Sequence, residues 1–132
     1  MSLRVTVYTD GGTRGDCAAA VITGPGGDVL DESSIPLASV TNNVAGYRAA
    51  LLGLERAGAL GATAVSLVMD SELVVNQVTG RYRVRAPDLV PLHRATQEAL
   101  ARFGEWSVHH VRRADHAVAL AGAREFTGRD AL

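Results

Sequence analysis

Leu3-Arg4-Val5-Thr6-Val7-Tyr8-Thr9-Asp10-Gly11-Gly12 sets the reading of the whole chain. Residues 3–9 alternate apolar and polar side chains, several of them β-branched, which is the pattern of a strand with one buried face. The strand leaves through a glycine-rich turn, Asp10 to Gly15, with a carboxylate at the point of exit. A short apolar run follows at Cys17 to Thr23, and Gly24-Pro25-Gly26-Gly27 turns the chain into a third run, Asp28 to Ile35. Three antiparallel strands therefore open the chain.

Beyond them, Thr41-Asn42-Asn43 caps a long helix reaching about Leu60, with apolar residues at Val44, Tyr47, Leu51, Leu54 and Ala57. Ala64 to Met69 reads as a fourth strand, and Asp70-Ser71 caps a helix from Glu72 towards Val78. Arg81 to Pro87 is a basic connection, Leu89 to Phe103 a helix, Trp106 to Arg112 a fifth strand, and about Ala117 to Phe126 a final helix. The order βββαβααβα predicts an α/β fold with a five-stranded mixed sheet flanked by helices. Tyr8 and Trp106 are expected in the core, and Cys17 as a small buried hydrophobe.

A length of 132 residues suits one domain spanning 1–132, and 47% apolar with 20% charged residues excludes a disordered chain. One cysteine excludes an internal disulfide framework. No stretch approaches the roughly 18 apolar residues of a membrane span, and Met1-Ser2-Leu3-Arg4 runs straight into strand pattern. The expectation is a soluble cytoplasmic domain with no membrane partner. All 13 basic residues are arginine. Residues 1–80 hold four of them against eight acids, and residues 81–132 hold nine against six, for a net charge of −1. Such a balance permits a nucleic-acid partner without demanding one.

Asp10 and Asp70 carry the first chemical signal. Carboxylates at the ends of two strands, each followed by a turn, are placed to share a hard cation such as Mg²⁺. Each alone reads equally well as a turn residue before Gly-Gly or a helix cap before Ser-Glu. Together with their surroundings they read differently. Tyr8-Thr9-Asp10-Gly11-Gly12-Thr13-Arg14-Gly15, then Thr41-Asn42-Asn43-Val44-Ala45-Gly46-Tyr47-Arg48-Ala49, then Met69-Asp70-Ser71-Glu72-Leu73-Val74-Val75-Asn76-Gln77 resembles type 1 ribonuclease H. Arg81-Tyr82-Arg83-Val84-Arg85 and His110-Val111-Arg112-Arg113-Ala114-Asp115-His116 extend the likeness over nearly the whole chain. It is closest to the compact members that lack a basic protrusion.

The resemblance implies a ribonuclease H-like fold and an enzyme that cuts the RNA strand of an RNA/DNA hybrid with four carboxylates and two Mg²⁺ ions. Asp10 matches the carboxylate that bridges both metals, and Asp70 the one on the leaving-group metal; both are the expected catalytic residues. Two matches fail. The family's Ala-Glu-Tyr triplet stands here as Ala45-Gly46-Tyr47, and Leu120 occupies the position of the Asp in the final helix. A neutral imidazole at His116, one helical turn before Leu120, could ligate Mn²⁺ or another metal, or could cap that helix in place of the family's Asn.

For the nucleic acid, Gly11, Gly12, Thr13, Asn42, Asn43 and Gln77 match positions that resemble the family's contacts to 2′-hydroxyls, bases and minor-groove edges. Arg14 belongs to the same loop. Arg113 matches a basic residue near the scissile phosphate, and Thr41 one that holds a DNA phosphate. Asp16, where the family has Asn beside that Thr, sets a negative charge against the phosphate. Arg81, Arg83 and Arg85 alternate on an extended segment, either to follow a phosphate backbone or as ordinary solvated surface.

Three readings follow. The first is a degenerate ribonuclease H relative that binds RNA/DNA hybrid or other double-stranded nucleic acid, with hydrolysis lost or strongly impaired and Mg or Mn binding weakened. The second is a slow Mg- or Mn-dependent endonuclease working with Asp10 and Asp70. The third is a protein-interaction module built on the same fold, its partner unspecified.

Overall fold

The computed structural model describes residues 2–11 and 16–112. Five strands, β1 (Arg4–Asp10), β2 (Cys17–Thr23), β3 (Val29–Pro36), β4 (Ala64–Met69) and β5 (Glu105–His110), form one sheet in the order β3-β2-β1-β4-β5. Pairings β1–β2 and β2–β3 are antiparallel, whereas β1–β4 and β4–β5 are parallel. Helices α1 (Asn42–Ala59), α2 (Glu72–Val78) and α3 (Val90–Ala101) complete the described elements. The chain thus forms the α/β, five-stranded mixed sheet, its first three strands antiparallel, that its residue pattern predicts. The expected final helix at 117–126 lies outside the described residues.

Period-two patterning decides the faces. Val5, Val7 and Thr9 of β1 are buried while Thr6, Tyr8 and Asp10 on the other face are half-buried. The hairpin between β2 and β3 closes with the Gly27 amide donating to the Gly24 carbonyl at 3.0 Å, and Gly27 takes the left-handed φ of 85° that its missing side chain permits. Helix α1 starts where Thr41 Oγ1 accepts the Val44 amide at 3.2 Å. It lies so close to the sheet at Gly53 that a Cβ there would come within 2.4 Å of Val7 Cγ1. The core gathers Val5, Val7, Ile22, Tyr47, Leu54, Leu67, Met69 and Leu100.

Two core expectations are corrected. Trp106 is 41% exposed, because β5 is an edge strand and the described helix that packs most against it is the seven-residue α2. Tyr8 and Cys17 are half-buried, as each lies on the sheet face or sheet end away from the main cluster. Helix α3 begins one residue later than its pattern suggests, with Leu89 at the N-cap and a proline in the first turn.

Candidate active site

Parallel pairing of β1 with β4 sets the site. The register matches Thr9 with Met69, so Asp10 and Asp70 leave adjacent strand ends side by side, about 5 Å apart at the backbone by ordinary strand spacing. Thr9 and Met69 both point into the core, which turns Asp10 and Asp70 to the opposite, half-buried side. Immediately after Asp70, Ser71 caps α2 by accepting the Val74 amide at 3.4 Å.

Helix α1 closes the third side. A Cβ at Gly11 would lie 2.7 Å from the Ala45 carbonyl carbon and 2.8 Å from the Gly46 amide nitrogen, so only glycine lets β1 run this close to the helix. Gly46 in turn faces α2: a Cβ there would meet Val74 Cγ2 at 3.4 Å and Ser71 Cβ at 3.8 Å. Gly46 therefore sits between the residue after Asp10 and the residue after Asp70. Asn42 and Asn43 lie one helical turn before Gly46, at i−4 and i−3, and so share its face of α1. Asn42 is exposed and Asn43 half-buried.

Electrostatically the site is acidic. Burial first, then the charges of Asp16 and Asp10, push the Cys17 thiol above its usual range, keeping it protonated at neutral pH. Asp16 itself is exposed, and its carbonyl accepts the Leu37 amide at 2.9 Å.

Gln77 stands elsewhere than the resemblance implies. It is 5% exposed, and its Oε1 accepts the Tyr47 hydroxyl at 2.7 Å across 30 residues of sequence. Its carbonyl lies 3.1 Å from His93 Nε2, while the His93 and Tyr47 rings meet edge to face at 6.5 Å. Gln77 is thus a brace joining α1, α2 and α3, with its side chain turned inward. No signal in the sequence marks this triad, since its members come from three helices. Gly12, Thr13, Arg14, Arg113, His116 and Leu120 lie outside the described residues.

The described residues alone do not make up a two-ion centre. Asp10 and Asp70 supply two carboxylates, Gly46 supplies no ligand atom from its side chain, and no group of three or more His, Cys, Asp or Glu residues is gathered to hold a metal among the described residues. Among those residues, too, no helix is long and apolar enough to cross a membrane.

Comparison with known proteins places this geometry. Residues 7–126 match the reverse transcriptase-like family. The bifunctional protein Rv2228c of Mycobacterium tuberculosis is 39% identical over 117 residues, 85% of this chain and 32% of that protein. Ribonuclease HI of Halobacterium salinarum is 36% identical over 127 residues, 92% of this chain and 63% of its relative. The chain thus spans about a third of the mycobacterial relatives it matches. The solved N-terminal RNase H domain of Rv2228c superposes with a TM-score of 0.84 at 36% identity, covering 96% of this chain and 95% of that one. LC11-RNase H1, solved in complex with RNA/DNA hybrid, follows at a TM-score of 0.79 and 32% identity, covering 86% and 89%. Sheet order, paired strand-end aspartates and these likenesses agree, and the chain belongs to the ribonuclease HI family.

Proposed function

We propose that this chain is a nucleic-acid-binding member of the family, taking RNA/DNA hybrid or a related duplex, in which hydrolysis is lost or strongly impaired. The observation that carries the reading is Gly46. It lies between Gly11 and Ser71, the residues that follow Asp10 and Asp70, and it brings no carboxylate there. Leu120, at the family's fourth carboxylate position, removes another. Losing several kcal/mol of transition-state stabilisation slows a reaction by roughly a thousandfold or more. The binding half of the proposal is supported by the helix face that Asn42 and Asn43 share with Gly46, and by the exposed arginines Arg81, Arg83 and Arg85. A family neighbour held on RNA/DNA hybrid suggests the ligand.

End-labelled RNA/DNA hybrid, incubated at high protein concentration with Mg²⁺ or Mn²⁺ beside an Asp10→Ala control, tests the chemistry. No cleavage above the control, with salt-dependent binding that persists in EDTA, is the expected result. Efficient cleavage by the unaltered chain, or binding no tighter than that of an unrelated neutral protein, overturns the proposal.

The adjacency of Asp10 and Asp70 favours a second reading, a slow Mn²⁺-dependent nuclease, because one or two carboxylates plus substrate phosphate oxygens can hold a divalent ion. Weak cleavage abolished by Asp10→Ala is its signature.

A further inference from the structure

Helices α1 and α3 run side by side in the same direction. Each leads into one of the parallel neighbours β4 and β5, and the Gly104 and Glu105 amides both donate to the Thr63 carbonyl, at 2.9 and 3.3 Å, which joins the two helix-to-strand turns. Between the helices lies a groove of about 660 Å³. Leu54 and Phe103 are buried at its floor, and Leu51, Ala62, Ala95 and Ala99 are half-buried along it. Its α1 wall is open at Gly58, which is exposed and where an added Cβ would meet nothing within 4 Å. The stretch from Leu51 to Ala62 covers about 17 Å, or three helical turns. Small residues on both walls let a third helix approach to the roughly 8–10 Å at which helix axes pack.

Charge gathers on the rim. Glu55 lies five residues before the C-cap of α1 and Glu98 four before the C-cap of α3, so these exposed carboxylates stand at nearly the same height on opposite walls. Neither has a basic group within 4.0 Å among the described residues. Arg56, next to Glu55, is held by Asp31 instead. Arg102 is the basic residue of the groove, and it is the C-cap residue of α3, where a cation suits the negative end of the helix. Two carboxylates and the C-terminal ends of two helices exceed that single positive charge. The groove is an apolar trough with a negative rim.

We propose that the α1–α3 groove docks an amphipathic helix of a partner protein, with its apolar side chains on Leu54 and Phe103 and an arginine or lysine between Glu55 and Glu98. Two parallel walls with an apolar floor are the geometry of helix-in-groove recognition, and the facing carboxylates select a basic partner. A second copy of this chain fits worse, because groove against groove it sets Glu55 and Glu98 against like charges. The C-terminal mouth of the groove adjoins the starts of β4 and β5, whereas Asp10 ends β1 and Asp70 follows the end of β4. Docking therefore leaves the candidate active site uncovered and does not depend on the nucleic-acid-binding reading.

The test titrates the full chain with a capped alanine–leucine peptide helix of about 16 residues carrying one central arginine, and with the same peptide carrying glutamate there. The arginine peptide shifts the Gly58 and Ala99 amide NMR signals and binds roughly tenfold tighter than the glutamate peptide at low salt. Glu55→Gln with Glu98→Gln shrinks that difference to less than about twofold. Gly58→Arg weakens the arginine peptide by roughly tenfold or more, and it keeps the native amide spectrum because its side chain enters open space. Unmoved Gly58 and Ala99 signals with the arginine peptide overturn the proposal, as does equal affinity for the two peptides. Groove signals that shift with protein concentration alone assign this face to a second copy and overturn it as well.

Discussion

Gly46 of α1 faces Ser71, the N-cap of α2, with room for a side chain between them: a Cβ on Gly46 would sit 3.8 Å from Ser71 Cβ and 3.4 Å from Val74 Cγ2. The backbone leaves space for a side chain at position 46.

Gly46→Ala therefore stabilises the protein by up to about 1 kcal/mol, since a helix-interior glycine gains from alanine and the new methyl meets ordinary contacts. Thermal melting checks this, and a lower Tm would overturn it. Gly46→Glu with Leu120→Asp returns both missing carboxylates to the chain. Mg²⁺-dependent hybrid cleavage should rise at least tenfold over the unaltered chain, read from end-labelled substrate.

Gly53 behaves oppositely although it lies in the same helix. Its Cβ would fall 2.4 Å from Val7 Cγ1 and 3.1 Å from Thr9 Cγ2, both on the central strand β1. Gly53→Ala should cost about 1–3 kcal/mol despite the better helix propensity, because overpacking exceeds the propensity gain. Chemical denaturation of the two glycine variants side by side measures the contrast.

Tyr47 is fully buried, and burial raises its hydroxyl from the usual 10 to about 12. A neutral phenol is thus favoured in the folded state. The stability this contributes is fully present below pH 10 and is lost as pH rises towards 12. Tyr47→Phe removes that alkaline sensitivity and leaves Gln77 Oε1 buried without its donor, at a cost of about 1–3 kcal/mol at neutral pH. Unfolding curves at pH 7 and above pH 10 separate the two effects.

Asp31 of β3 accepts two bonds from Arg56 of α1, at 2.7 and 2.9 Å, and this partner holds its carboxyl below the usual range. The contribution is present above the ordinary carboxylate pKa and is lost as pH falls through the lowered one. Arg56 is half-exposed, so Asp31→Asn should cost less than about 1 kcal/mol at pH 7 and nothing at strongly acidic pH. Denaturation midpoints across the acid range test the sign.

The strands and helices were legible because their signals are local. The bounds of β2 and α2 follow from a seven-residue apolar run and from Ser71 ahead of an apolar-periodic stretch. The paired aspartates were legible too, each at the end of a strand pattern. Trp106 misled because a large aromatic in an alternating strand looks buried, whereas strand order alone says that β5 is an edge. Gln77 misled because its motif position says nothing of which way its side chain turns, and Tyr47, 30 residues away, decides that.

From local order along the chain come the succession of the described strands and helices, the two strand-end carboxylates, and a glycine at position 46 in the interior of α1. These depend on periodicity, capping and residue identity within a few positions. Folding in three dimensions settled what could not be local: Gly46 seated between Gly11 and Ser71, and Gln77 turned inward to Tyr47. Burial and hydrogen-bond partnership arise between elements far apart in sequence, so they exist only once the sheet has brought those elements together.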